Sequence, residues 1–160
     1  MVPPLNRRNL LSALLGGIAS SWAAPVFAGE AKYEVTHTDA EWRKLLSPAA
    51  YDVLRHQGTE YPFSSPLDLN FRKGTYACAG CELDLFSSET KYDSHTGWPS
   101  FWRPLTNAVL TAADHSFGEE RTEVHCRRCG GHLGHVFADG PKPTGLRYCM
   151  NGVALSFKAA

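Results

Sequence analysis

A chain of 160 residues has room for one ordinary domain with a real core plus whatever its N-terminus is, and a second domain is not expected. Lys and Arg total 16 against 16 Asp and Glu, so neither the basic footprint of a nucleic-acid binder nor an acidic tail is present. The partner expected from this balance is a small or neutral group.

Residues 1–28 read separately from the rest. Arg7-Arg8 precede an apolar stretch from Leu10 to about Ala24, and Val26-Phe27-Ala28 supplies a small-x-small cleavage signal. Ser12, Gly16, Gly17, Ser20 and Ser21 interrupt the stretch, so it is less apolar than a spanning helix of roughly 20 residues. The expectation is a secretory leader cleaved after Ala28, twin-arginine-like although Asn6 stands where Ser or Thr is usual, with a mature domain over 29–160 delivered to the periplasm or otherwise exported. Losing Arg7 and Arg8 leaves 14 basic against 16 acidic groups, a mature charge of −2. A route that carries folded proteins lets four thiolates bind metal before they meet an oxidising compartment.

In the mature chain, Thr38-Asp39-Ala40-Glu41 fits a capping box that opens a short helix through Trp42, Leu45 and Leu46. Ser47 as cap and Pro48 at the first helical position predict a second helix from Pro48 to Gln57, stopped by Gly58. Helical periodicity then ends. Short runs at 74–78, 109–112, 121–126, 133–137 and 147–157 alternate with Gly, Pro and Asn/Asp clusters, which predicts a mainly antiparallel β body. The turn-rich segment 139–145 delivers the chain into the last of these runs.

Two C-x-x-C hooks, Cys78/Cys81 and Cys126/Cys129, are what a tetrahedral four-thiolate zinc site requires. Gly80 inside the first and Gly130 after the second would let the backbone curl round the ion. The 44 residues between Cys81 and Cys126 would form a loop closed by metal. Disulfides or a redox dithiol are the alternatives, but a redox pair opens a helix and neither hook has a helical pattern behind it. Four thiolates leave no open coordination position, so such a zinc is structural.

Cys149 is the one cysteine without a partner at metal-ligand spacing. Strand alternation would put Arg147, Cys149 and Asn151 on one face, with Tyr148 and Met150 on the other. A guanidinium two residues away favours the thiolate, the attacking form; the alternative is a buried Cys acting as a small hydrophobe. His132 and His135 suit proton transfer, and in a straight strand they share a face only if Gly134 makes a bulge or kink. Asp139 could orient one ring by accepting its N–H. Their use as metal ligands, with His125, is weakened by the complete thiolate set. Trp98 and Trp102 are either core or, for Trp98, a wall that suits a methyl group.

Together, Gly97-Trp98-Pro99-Ser100-Phe101, Arg121-Thr122-Glu123-Val124, Cys126-x-x-Cys129-Gly130, His132-Leu133-Gly134-His135-Val136-Phe137, Pro143-Thr144-Gly145 and Arg147-Tyr148-Cys149-Met150-Asn151 resemble methionine-R-sulfoxide reductase, type B. The resemblance runs from about Trp42 to Phe157 and includes Gly58-Thr59-Glu60 and Lys91-Tyr92-Asp93-Ser94. It implies two antiparallel β-sheets with short N-terminal helices, one structural zinc on Cys78, Cys81, Cys126 and Cys129, and reduction of the R epimer of free or protein-bound methionine sulfoxide. It further implies Cys149 as nucleophile, a polar wall of His132, His135, Asp139, Arg147 and Asn151, and Trp98 against the substrate methyl. Many members carry a resolving cysteine between Ser94 and Gly97; here His95-Thr96 stand there, so the expected sulfenic acid is reduced by an external thiol, thioredoxin-like or of low molecular weight. The rival class is a zinc-ribbon-like binding module without catalysis.

Overall fold

The computed structural model describes residues 33–116 and 118–160, so the expected leader lies outside the described residues. Helix α1 spans Asp39–Leu45, and its capping box forms as expected, with the Thr38 side chain accepting from the Glu41 backbone N–H while the Glu41 carboxylate accepts from the Thr38 N–H at 2.8 Å. Only Trp42 of this helix is buried; Leu45 faces solvent, and Leu46 reaches the core from the cap position. Helix α2 spans Pro48–His56, with Ser47 as its N-cap. Its stop is Gln57, which takes the left-handed conformation (φ 58°) expected of Gly58. Ala50, Val53 and Leu54 form its buried stripe at helical spacing. Truncating a side chain such as Leu54 would cost about 2–5 kcal/mol.

Two antiparallel sheets follow. In the smaller, β1 (Gly74–Cys78) lies between β2 (Asp84–Ser87) and β9 (Leu155–Ala159). In the larger, the order is β3 (Lys91–Tyr92), β4 (Ser100–Phe101), β8 (Arg147–Met150), β7 (His132–Phe137), β6 (Arg121–Cys126) and β5 (Val109–Asp114). Tyr76, Phe86, Phe101 and Met150 are fully buried between them, with Phe86 stacked on Phe101 at 4.4 Å between ring centroids.

The run 147–157 is not one strand. It breaks after Met150 into a 3₁₀ turn, Gly152–Ala154, and resumes as β9 in the other sheet. The cause is distant in sequence: the Glu60 carboxylate accepts from the Gly152 N–H at 2.5 Å and the Val153 N–H at 3.0 Å, which caps that turn. Among the described residues no helix is long and apolar enough to cross a membrane.

Candidate active site

The two hooks end strands of different sheets, Cys78 closing β1 and Cys126 closing β6. All four sulfurs lie within 4.8 Å of one another, with Cys78–Cys129 at 3.7 Å and Cys81–Cys126 at 3.5 Å. A tetrahedron with zinc–sulfur bonds of about 2.3 Å has sulfurs about 3.8 Å apart, so the donor set and its spacing fit a four-thiolate zinc. The backbone curls as expected after the second hook at Gly130 (φ 69°), but after the first the left-handed residue is Glu82 (φ 60°) and not Gly80. Arg55 of α2 donates to the Cys129 carbonyl at 3.1 Å and stacks on Trp42, which ties the helices to the metal centre. The ion is a cross-link between sheets, and no reacting group has to touch it.

Cys149 lies elsewhere, in mid-sheet. The register pairs it with His135 of β7 on one side and Ser100 of β4 on the other, and His135 pairs onward with Glu123 of β6. Directly opposed residues share a sheet face, so Ser100, Cys149, His135 and Glu123 form one row. Alternation along β8 holds as read from the sequence: Arg147, Cys149 and Asn151 line a cavity of about 300 Å³ while Met150 is fully buried in the core. Thr59, Thr96, Trp98, Arg121 and Phe137 complete the walls. Gly134 is required where β7 passes β8, since a Cβ there would sit 2.1 Å from the Cys149 carbonyl oxygen.

The two histidines do converge, with ring centroids 5.4 Å apart. The bulge is one residue earlier than expected: Val124 pairs with Gly134 and His125 with His132, so Leu133 is the extra residue and His132 turns onto the face of His135. Neither ring is oriented by Asp139. His135 Nε2 bonds Asp114 Oδ2 at 2.7 Å, and His132 Nδ1 bonds Glu123 Oε1 at 2.7 Å. A carboxylate only accepts, so these ring nitrogens carry the protons in the neutral rings. Burial holds His135 below the ordinary histidine range, opposed by its bond to Asp114. His132 is 3% exposed, sits behind His135, and its Nε2 has no hydrogen-bond partner among the described residues.

Asp139 instead clamps Arg147, with both N–H···O bonds at 2.9 Å, while Phe137 stacks under the guanidinium at 4.5 Å. Asp139 is 62% exposed and does not line the Cys149 cavity. Asn151 reaches the cavity wall, yet its amide is committed: Oδ1 accepts from the Glu60 N–H at 3.0 Å and Nδ2 donates to the Leu133 carbonyl at 3.1 Å. Trp98 forms the apolar wall, its Nε1 donating to the Glu60 carbonyl at 3.2 Å. Thr96 sits between two left-handed residues, His95 (φ 57°) and Gly97 (φ 88°). Its hydroxyl bonds Ser94 at 2.8 Å, and Ser94 bonds Ser100 at 2.7 Å, so a run of hydroxyls lies beside Cys149.

The sequence expectation of a thiol favoured as thiolate needs correction. Burial raises the Cys149 pKa and outweighs the opposing contributions of Arg147, Thr96 and Ser100. The Arg147 charge is at the same time paired with Asp139, whose removal would leave it facing Cys149 alone. An Asp139→Asn variant should therefore lower the Cys149 pKa and move the rising limb of its alkylation rate to lower pH. A limb left in place, with Arg147 still at the site, would contradict this arrangement.

The sequence comparisons agree with the geometry. Residues 46–159 match the SelR domain. A peptide methionine sulfoxide reductase MsrB of Leptospira interrogans is 54% identical over 127 residues, which covers 79% of this chain and 97% of the relative. Proteins of the same name from Methanosarcina barkeri and Agrobacterium fabrum are 53% and 50% identical, covering 80% and 78% of this chain and 91% and 93% of their own lengths. A chain with this extent of similarity, four thiolates cross-linking two sheets and a fifth cysteine facing its own cavity belongs to the SelR domain family, that of the MsrB methionine sulfoxide reductases.

Proposed function

We propose that the chain reduces the R epimer of methionine sulfoxide, with Cys149 as nucleophile and an external thiol as reductant. The observation that carries this reading is a cavity with two characters around one sulfur. Trp98 and Phe137 offer apolar surface, while Arg121 and Arg147 offer N–H donors on the polar side and His135 an imidazole that can take up a second proton. A sulfoxide has matching halves, a methyl group and a strongly accepting oxygen. Seating the methyl on Trp98 and the oxygen on the donors leaves one direction for the rest of the side chain to exit, which discriminates between mirror-image sulfur centres.

The Cys149 sulfur, as thiolate, attacks the substrate sulfur. Negative charge grows on the oxygen, and positioned donors stabilise it while a proton arrives there. His135 is the proton carrier best placed by register, directly across from Cys149; with Nε2 held on Asp114, its Nδ1 supplies that proton from the imidazolium form. Oxygen ends on Cys149 as sulfenic acid: the substrate sulfur gains two electrons and leaves as a thioether, and Cys149 loses two. One external thiol then displaces water to form a mixed disulfide, and a second releases Cys149. Zinc supplies only the cross-link between sheets.

Separate assays of R and S epimers with one reductant test the reading. The expected result is consumption of the R epimer with the S epimer untouched; equal consumption of both, or of neither, would contradict it.

A further inference from the structure

Large apolar side chains are exposed in one segment of this protein out of proportion to the rest. Tyr61 is 85% exposed, Phe63 70%, Leu69 71% and Phe71 50%, and only Leu45 and Leu110 join them among the described residues. Scattered exposed hydrophobes need no explanation, but four within eleven residues do.

The segment is held in this exposed form. The Phe63 N–H donates to the Gly97 carbonyl at 2.7 Å, and the Ser64 hydroxyl closes a turn on the Tyr61 carbonyl at 2.6 Å. At the other end the buried Lys91 donates to the Asp68 carbonyl at 2.5 Å and lies 3.9 Å from the Phe71 ring centroid. Burying an ammonium is costly without such partners, so the lysine is committed to this segment. Phe63, Pro66 and Leu69 thereby line a groove of about 340 Å³.

The groove neighbours the reactive cavity through the packing of Phe63 on Gly97. Thr59 lines that cavity, and Phe63 packs against Gly97, the residue between the cavity-lining Thr96 and Trp98; a Cβ on Gly97 would come within 2.9 Å of the Phe63 ring. A cavity of about 300 Å³ takes one side chain. A residue whose side chain is seated there has its backbone at the rim, and Phe63 lies on the side of that rim formed by Thr96, Gly97 and Trp98.

Resting on the proposed function, we infer that segment 61–71 is a docking ledge for a locally unfolded polypeptide carrying the oxidised methionine, with an apolar residue beside that methionine seated between Phe63 and Leu69. Methionine is itself a core residue, so its neighbours in a disrupted protein are commonly apolar. Among the described residues the one ionisable group lining the groove is Asp68, itself 8% exposed, so recognition there is by apolar contact and not by charge. Contacts remote from the reacting sulfur of this kind raise kcat/KM for the longer substrate.

The test compares two R-sulfoxide substrates: N-acetyl methionine sulfoxide amide, and a short unstructured peptide with leucine or phenylalanine flanking the sulfoxide. The ratio of their kcat/KM values is read in wild type, Leu69→Ser and Phe63→Leu. The ledge predicts a ratio well above that for a serine-flanked peptide, a fall of about tenfold in Leu69→Ser, and a ratio largely kept in Phe63→Leu. A ratio unchanged in Leu69→Ser overturns the inference. So does a Leu69→Ser effect confined to self-association in sedimentation, or confined to the KM of a protein reductant. If wild type reduces neither substrate, the proposed function itself fails; a wild type that reduces both with no flank preference removes only the ledge.

Discussion

Replacing Cys149 by serine is expected to lower sulfoxide turnover by at least about 10³-fold, with bound zinc and melting temperature kept. The reason for both halves is spatial. Cys149 belongs to a row of side chains in mid-sheet, whereas the thiolate cluster closes the ends of β1 and β6. Serine preserves the size and the polar surroundings, including the hydroxyls of Thr96, Ser94 and Ser100. It removes the nucleophilic, oxidisable sulfur on which the reaction depends. A binding module would keep its function under the same change, so activity and zinc content measured on one sample separate the two readings. Retained turnover in this variant would remove Cys149 from the reaction.

Removing zinc has the second large effect. The described core lies between two sheets, and the sulfurs of the two hooks join β1 of one to β6 of the other. Closing a loop of this length with a covalent bridge is worth about 4 kcal/mol in the chain-entropy account. Four-thiolate zinc binding releases more, on the order of 10 kcal/mol, and in a domain this small that energy is folding energy. Chelation at neutral pH, or Cys126→Ser, should therefore abolish the cooperative thermal transition and the near-ultraviolet circular dichroism signal. An apo protein that melts at the holo temperature would show that the sheets hold together without the ion.

Local signals made part of this fold readable. The Thr38–Glu41 capping box and the Ser47-Pro48 start fix two helices through contacts only three residues apart, which is why their N-termini were legible. Strands β1 and β6 matched their apolar runs for the same reason. Two-residue strands such as β3 and β4 were not legible, because neither is long enough to alternate. The break after Met150 depends on Glu60, which lies 92 residues before Gly152, and no local pattern announces it.

The site divides along the same line. Cys149, Trp98 and the metal cysteines stand out by residue type and spacing, and the cavity gathers Trp98, His135, Arg147 and Cys149 as expected. The acids that hold the imidazoles do not stand out. Asp139 is the acid nearest His135 along the chain, yet it faces Arg147, while Asp114 and Glu123 reach the rings through register and a bulge. The signal that could have found Asp114 is the β5–β6 hairpin, since once those strands are paired Asp114 stands opposite Arg121.

The most direct test of the central claim is to treat the reduced, zinc-loaded protein with one equivalent of R sulfoxide in the absence of thiol, trap sulfenic acid with a selective reagent, and locate the label by peptide mass spectrometry. One label is expected, on Cys149, with all four zinc thiolates unmodified and no disulfide within the chain. A disulfide joining Cys149 to a hook cysteine, or a label on Cys78, Cys81, Cys126 or Cys129, would contradict it.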